Sequence, residues 1–213
     1  MKLFITRHGQ TDWNLRGIIQ GTTDIPLNDT GRAQALTVAK ELKEEKLDAI
    51  IVSPLKRAVE TAEIINQWHQ LPIQCDERLA ERCFGDYEGT PIADFDFCGF
   101  WNQEKEANFP SCEKTSDFFL RVHSFIEECR VKYANQNVLA VAHGGVSLPF
   151  YTYFKEIEND HDMRRYMLNN CEVACYELKS VDCFLSLMCE RNHKRTVYLS
   201  LKGNDTKFLF LLV

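Results

Sequence analysis

The sequence predicts an α/β protein: a three-layer αβα arrangement with a mostly parallel central sheet, helices on both faces and an inserted cover over the carboxyl ends of the strands. Three observations carry this expectation. Short apolar strands alternate with amphipathic helical stretches, the pattern of a parallel sheet buried on both sides. Three of these strands run directly into basic or polar residues. Between the second and third of them, residues 82–113 hold no sustained period and gather Phe84, Tyr87, Phe95, Phe97, Phe100, Trp101 and Phe109, as expected of a partly ordered cover.

The elements follow in order. "LFITR" at 3–7 is an apolar strand that ends on a charge. In "NDTGRAQALTVAKELKEEK" (28–46), Ala35, Ala39 and Leu42, with Leu36 and Val38 beside them, fall near helical spacing, and Asn28, Asp29 or Thr30 supplies a cap. "LDAIIVSP" (47–54) is a second strand, and "LKRAVETAEIINQW" (55–68) is a helix with Ala58, Ala62, Ile65 and Trp68 on one face. After the cover, "KTSDFFLRVHSFIEECRVKYANQ" (114–136) is a long helix whose face runs through Phe118, Val122, Phe125, Ile126, Cys129 and Tyr133. "NVLAVAHGG" (137–145) is the third strand, "SLPFYTYF" (147–154) a helical stretch, and "EVACYEL" (172–178) the fourth strand. The tail from Ser180 is predicted to form a hairpin turning at Gly203–Asn204–Asp205.

A chain of 213 residues sustains one substantial core. The expected division is therefore one domain over residues 1–179 and an extension over 180–213. With 45% hydrophobic and 26% charged residues and a net charge of -6, the composition is that of a soluble protein without broad affinity for nucleic acid or anionic membranes. Any anion must be captured locally. Nine cysteines at irregular spacing, with no CxxC pair, argue for a reducing cytoplasm rather than a disulfide framework, and Cys171 and Cys175, the closest pair, read as core thiols. The longest apolar run, "FLFLLV" at 208–213, is far short of the ~20 residues that span a bilayer, and no signal peptide fits the start. The expectation is a cytoplasmic monomer or homodimer.

The strand ends carry the chemistry. The first delivers Arg7 and His8, the second Ser53 and then Arg57, the third His143 followed by Gly144. In a parallel sheet these exits share one edge, so two arginines and two histidines converge in one crevice. Arginine matches phosphate oxygens bidentately, and phosphoryl transfer depends on such a clamp because its transition state spreads charge over the equatorial oxygens. One neutral imidazole would be the nucleophile; the other, protonated, would be a further donor. Taken singly, each is bland: a histidine at a strand end is commonly structural, and Arg57 alone reads as a helix-surface charge.

These residues resemble the histidine phosphatase superfamily, in its phosphoglycerate-mutase-like branch. The opening "RHGQTDWN" matches the family signature R-H-G-x-T-x-W-N, and "QGTTDIPLNDTGRAQA", "SPLKRAVETAE", "LAERCFGDYEG" and "VAHGG" follow in the family's order over roughly residues 2–178. The resemblance implies that His8 is the phosphorylated nucleophile, with its ring oriented by Gly9. It implies a phosphate site of Arg7, Asn14, Arg57, His143 and Gly144, substrate contacts at Gln20, Gly21 and Thr22, and Glu81 as the acid that protonates the leaving alkoxide and then deprotonates water. From the residues alone, Glu81 beside Arg82 reads as half of a surface ion pair. No metal and no cofactor are implied.

The family holds phosphatases and mutases. A mutase must hold a second anion, yet 82–113 offers only Arg82 and Lys105 as bases against seven acids and lacks the mutases' tandem-arginine segment. "NFPSCEKTSDFFLRV" resembles the phosphatase pattern Pro-x-x-Glu-Ser followed by a helix, and "HGGV" is similar to phosphatases as well. Hydrolysis of a small phosphorylated substrate is thus favoured over mutase activity. A non-catalytic phosphate sensor is the further alternative, disfavoured because a sensor needs neither His8 nor Glu81. Other phosphoryl chemistries lack their marks: there is no Gly-x4-Gly-Lys-Ser/Thr loop, and "DFDF" at 94–97 terminates no apolar strand.

Overall fold

The apolar residues of the first strand are fully committed to the interior: in β1 (Lys2–Arg7) Leu3 and Ile5 are inaccessible and Phe4 nearly so. The computed structural model describes residues 1–155, 163–178, 197–199 and 209–211. A short helix, α1 (Asp12–Leu15), follows β1 and opens on a reciprocal cap between Thr11 and Asn14. Helix α2 (Asp29–Glu41) starts at Asn28, whose Oδ1 accepts from Gly31 N at 2.9 Å; of the three candidate caps it is Asn28 that acts. Its buried face is Ala35, Val38 and Ala39, while Leu36 is 43% exposed.

Strand β2 (Ala49–Val52) is buried along its whole length and leads into α3 (Lys56–Asn66). Trp68 lies beyond the end of that helix and is half exposed, under the Lys43 ammonium at 5.2 Å, rather than on the buried face. Strand β3 (Ile73–Cys75) was not anticipated; with three residues and two of them exposed it carries no alternation to detect. The cover is built of 3₁₀ turns and one short helix, α4 (Phe97–Phe100). Helix α5 (Thr115–Lys132) buries Phe118, Val122, Phe125, Ile126 and Cys129 as its period predicts. Strand β4 (Val138–Ala142), helix α6 (Gly144–Phe154) and strand β5 (Val173–Glu177) complete this part of the chain.

The strand order is β3-β2-β4-β1-β5. All pairings are parallel except β1 with β5, which is antiparallel. Because side chains alternate across a sheet, Leu3, Ile5, Ala140 and Ala142 join Phe118, Phe125 and Phe150 on one face, while Phe4, Leu139 and Val141 join Val38, Ala58 and Ile65 on the other. Those are the three expected layers. Cys175, on the edge strand β5, is exposed, so only its neighbour Cys171 has core character; burial pushes the Cys171 thiol up to about 12.

The chain divides into Met1–Leu178 and Lys179–Val213. In the second unit, β6 (Val197–Leu199) pairs antiparallel with β7 (Leu209–Leu211). The proposed turn at 203–205 lies outside the described residues. Among the described residues no helix is long and apolar enough to cross a membrane.

Candidate active site

Register puts the strand exits level. Arg7 faces Ala142 across the β1–β4 ladder and Val52 faces Val141 across β2–β4, so His8, Ser53 and His143 leave adjacent strands side by side. The next ladder-like bonds hold them there: His8 N donates to Ala142 O at 2.9 Å and Ser53 N to Val141 O at 3.0 Å. The two imidazoles meet edge to face with centroids 5.1 Å apart. Behind them the loop after β1 lies against the start of α2, where a Cβ on Gly9 would overlap the Gly31 carbonyl and one on Gly31 would overlap Gln10 O. Only glycine at both positions permits that approach.

His8 Nδ1 is 2.7 Å from Gly9 O. A carbonyl only accepts, so Nδ1 carries the ring proton and Nε2 keeps its lone pair. Burial, then the Arg57 and Arg7 charges, holds His8 well below the usual histidine range, so the ring is neutral at neutral pH. His143 is fully buried and is held well below that range by the same causes, burial first and Arg57 next. This overturns the expectation of a protonated second imidazole. The ring is neutral instead, with its Nε2 2.7 Å from Ser53 Oγ, which also accepts from Leu55 N at 3.3 Å.

Arg57 is far from a surface charge. It is wholly buried, with Nη1 donating to Thr23 O and Nη2 to Gly21 O, both at 2.7 Å. Burial lowers it to about 10, which leaves it cationic at neutral pH. Arg7 Nη1 donates to Leu168 O at 3.1 Å. Among the described residues, Arg7 Nε, Arg57 Nε and His143 Nδ1 are buried without a hydrogen-bond partner. Two orphaned guanidinium donors and an orphaned ring nitrogen are costly unless a partner serves them, and a phosphoryl group accepts from such guanidinium donors. The start of α6 adds its partial positive charge at the same point.

Glu81 completes the arrangement from the cover side. Its Oε1 accepts from Arg82 N at 2.8 Å and its Oε2 from Gly145 N at 3.0 Å. No Glu81–Arg82 ion pair forms at the surface: the Arg82 guanidinium is buried 3.6 Å from the Phe100 ring centre and donates to Glu113 O and Phe100 O. A Cβ at Gly145 would overlap Glu81 Oε1, so glycine there is what admits the carboxylate.

Arg7, His8, Asn14, Gln20, Gly21, Arg57, Glu81 and Gly144 line one cavity of about 260 Å³. His143, in ring contact with His8, is outside the lining. Thr22 is also outside it: its N and Oγ1 donate to Glu88 Oε1, so this exposed residue ties the loop to the cover instead of facing a ligand. Asn14 Oδ1 accepts from Thr11 N and Asn170 Nδ2, so the group it offers a ligand is its own Nδ2. Among the described residues, no three His, Cys, Asp or Glu side chains are grouped to hold a metal ion.

The model of the histidine phosphatase superfamily (branch 1) matches residues 3–190. The chain belongs to that superfamily. It is 40% identical over 140 residues to the "Uncharacterized phosphatase PhoE" of Bacillus subtilis, covering 66% of this chain and 70% of the relative. It is 29% identical over 184 residues to "Phosphoserine phosphatase 1" of Hydrogenobacter thermophilus, covering 84% and 85%. The solved structure of Bacillus stearothermophilus YhfR superposes with a TM-score of 0.75 at 32% identity, over 84% of this chain and 91% of that one.

Sequence reasoning missed the part of the cavity that follows α6. Arg164, Met167, Leu168 and Asn169 line the cavity, with the Arg164 guanidinium 5.8 Å from the Phe97 ring centre. Asn170 Nδ2 donates to His8 O at 2.9 Å, fixing the backbone beside the imidazole. The stretch carries no periodicity or motif that points inward; its only sequence mark is the adjacent pair Arg164 and Arg165.

Proposed function

We propose that the chain is a metal-independent phosphomonoester hydrolase that acts on a small phosphorylated metabolite through a phosphohistidine intermediate at His8. The observation that carries this reading is the neutral His8 ring, with its proton tied to Gly9 O and its Nε2 lone pair left beside two arginines that each keep an orphaned Nε–H.

In the first half-reaction His8 Nε2 bonds to phosphorus while the bond from phosphorus to the leaving oxygen breaks, and Glu81 gives its proton to that oxygen. In the second, water attacks the phosphohistidine, Glu81 takes the water's proton, and phosphate leaves His8 neutral again. Arg7, Arg57 and the first turn of α6 bear the charge on the equatorial oxygens throughout, with His143 packed against the His8 ring.

The cavity volume of about 260 Å³ suits a small substrate, and Ile18, Ile92, Phe84, Phe97 and Trp101 give the alcohol portion apolar walls. The relatives' phosphatase names are in keeping with hydrolysis. The mutase alternative finds little help in the cover, since Arg82 is committed to Phe100 and Lys105 lies outside the cavity lining.

The test is hydrolysis of 4-nitrophenyl phosphate by the purified protein and by His8→Ala, with a chelator present. Turnover that survives chelation and is lost in the variant is expected. Turnover abolished by the chelator defeats the metal-independent mechanism, and no turnover by the unaltered protein turns the assignment toward a mutase or a phosphate sensor.

A further inference from the structure

Glu81 lies in a stretch, 81–84, without regular secondary structure. No ladder of backbone bonds holds it against the sheet, yet a general acid must stay within hydrogen-bond reach of the oxygen it serves. Two residues outside the cavity lining grip this stretch. Arg121, on α5, donates from Nη1 to Arg78 O at 2.6 Å and from Nη2 to Glu81 O at 3.2 Å. The same guanidinium meets Glu113 through Nε at 2.7 Å and Nη2 at 3.0 Å.

Glu113 closes the loop. Its Oε2 accepts from Cys83 N at 3.3 Å, and its own N–H donates to Cys83 O at 3.0 Å. The pair thus holds the chain on both sides of Glu81, from a rigid helix on one side and from the end of the cover on the other. Its side chains are only 22% and 21% exposed, and a two-pronged, shielded pair is directional in a way that an exposed one is not.

We propose that the Arg121–Glu113 pair is a positioning device for Glu81, setting the distance from its carboxyl group to the leaving oxygen. This rests on the assignment of Glu81 as the acid. The pair touches neither substrate nor His8; it acts through the Glu81 backbone. Loosening it leaves the nucleophile and the phosphate clamp intact and impairs only the proton delivery that accompanies cleavage of the bond from phosphorus to oxygen.

The experiment compares kcat/KM, which reports formation of the phosphohistidine, for 4-nitrophenyl phosphate and for glycerol 2-phosphate in the full chain and in Arg121→Met, Glu113→Gln and Glu81→Gln. An alkoxide needs the proton and nitrophenolate does not. Arg121→Met and Glu113→Gln are expected to lose about 10²-fold on the alkyl ester and less than about 5-fold on the aryl ester, as a roughly 1 Å displacement of a catalytic group does. Glu113→Gln keeps the side chain's size and decides the matter should Arg121→Met prove unstable. Equal losses on both esters, or none on either, while Glu81→Gln still discriminates between them, overturn the positioning role. A Glu81→Gln protein that does not discriminate overturns the assignment of the acid, and this inference with it.

Discussion

The floor and the cover wall of the same cavity are built by different means. The floor consists of residues that leave adjacent parallel strands, and backbone register alone brings Arg7, His8, Ser53 and His143 to one level. The wall that bears Glu81 has no such register; side-chain tethers and a cluster of aromatic rings around Phe100, one stacked on it and others edge to face, hold it. A nucleophile and its clamp therefore follow from topology, whereas the acid depends on particular long-range side chains.

The floor is tested first. His8→Ala should lower kcat by about 10⁴-fold or more, as removal of a nucleophile does; steady-state turnover above that level would place the chemistry elsewhere. The wall is tested next through Phe100, fully buried and stacked against Phe84 at 4.3 Å. Phe100→Ala should cost about 3–5 kcal/mol in urea unfolding, and a cost under about 1 kcal/mol would show that the cover is anchored by something else.

Gly145→Ala joins the two regions, because its methyl group would meet Glu81 Oε1. It should reduce kcat on an alkyl phosphate by about 10²-fold with unfolding little changed; an unaltered rate would mean that Glu81 moves freely.

Protonation separates the regions further. His8 and His143 are held below the ordinary histidine range in the folded state, so the unfolded chain takes up protons first. Their contribution is complete above about pH 6.5 and is lost on acidification, at up to about 1.4 kcal/mol per pH unit for each ring. Unfolding free energies between pH 7.5 and 5.5 should show a slope of that sign, to which His69 and His123, also held below the ordinary range by burial, add, and it should become shallower in His8→Ala; an unchanged slope would remove His8 as a contributor.

Glu88 gives the smallest effect. Burial raises its carboxyl, but bonds from Thr23, Thr22 and Phe84 N–H outweigh that and hold it below the usual range. Its stabilisation is present above the unfolded carboxylate pKa and vanishes as pH falls through the folded one. Melting temperatures of the unaltered protein and Glu88→Gln should converge toward acid; a gap that stays constant with pH would remove the carboxylate as its cause.

The same contrast explains what was legible beforehand. Strand ends announce themselves, since an apolar run that stops on "RH", "SP" or "HGG" breaks the local pattern. Helix faces did so too, and α5 buries the residues its period selects. Glu81 became visible only through the family motif, because a lone acid in a loop has no periodicity. Arg57 looked like a surface charge because sequence spacing says nothing of the two carbonyls that receive its Nη atoms. Thr22 was placed with the substrate contacts, though Glu88, distant in sequence, claims both its donors.

By itself, then, the sequence determined the αβα layers and the convergence of Arg7, His8 and His143, because both follow from local periodicity and the shared direction of parallel strands. Tertiary structure alone decided the rest: that burial holds His143 well below the usual histidine range, that β3 joins the sheet at its edge, and that Glu81 is tied to Gly145 and to residues of α5 and the cover. Those outcomes depend on burial and on partners far apart along the chain, and neither is encoded in the neighbours of a residue.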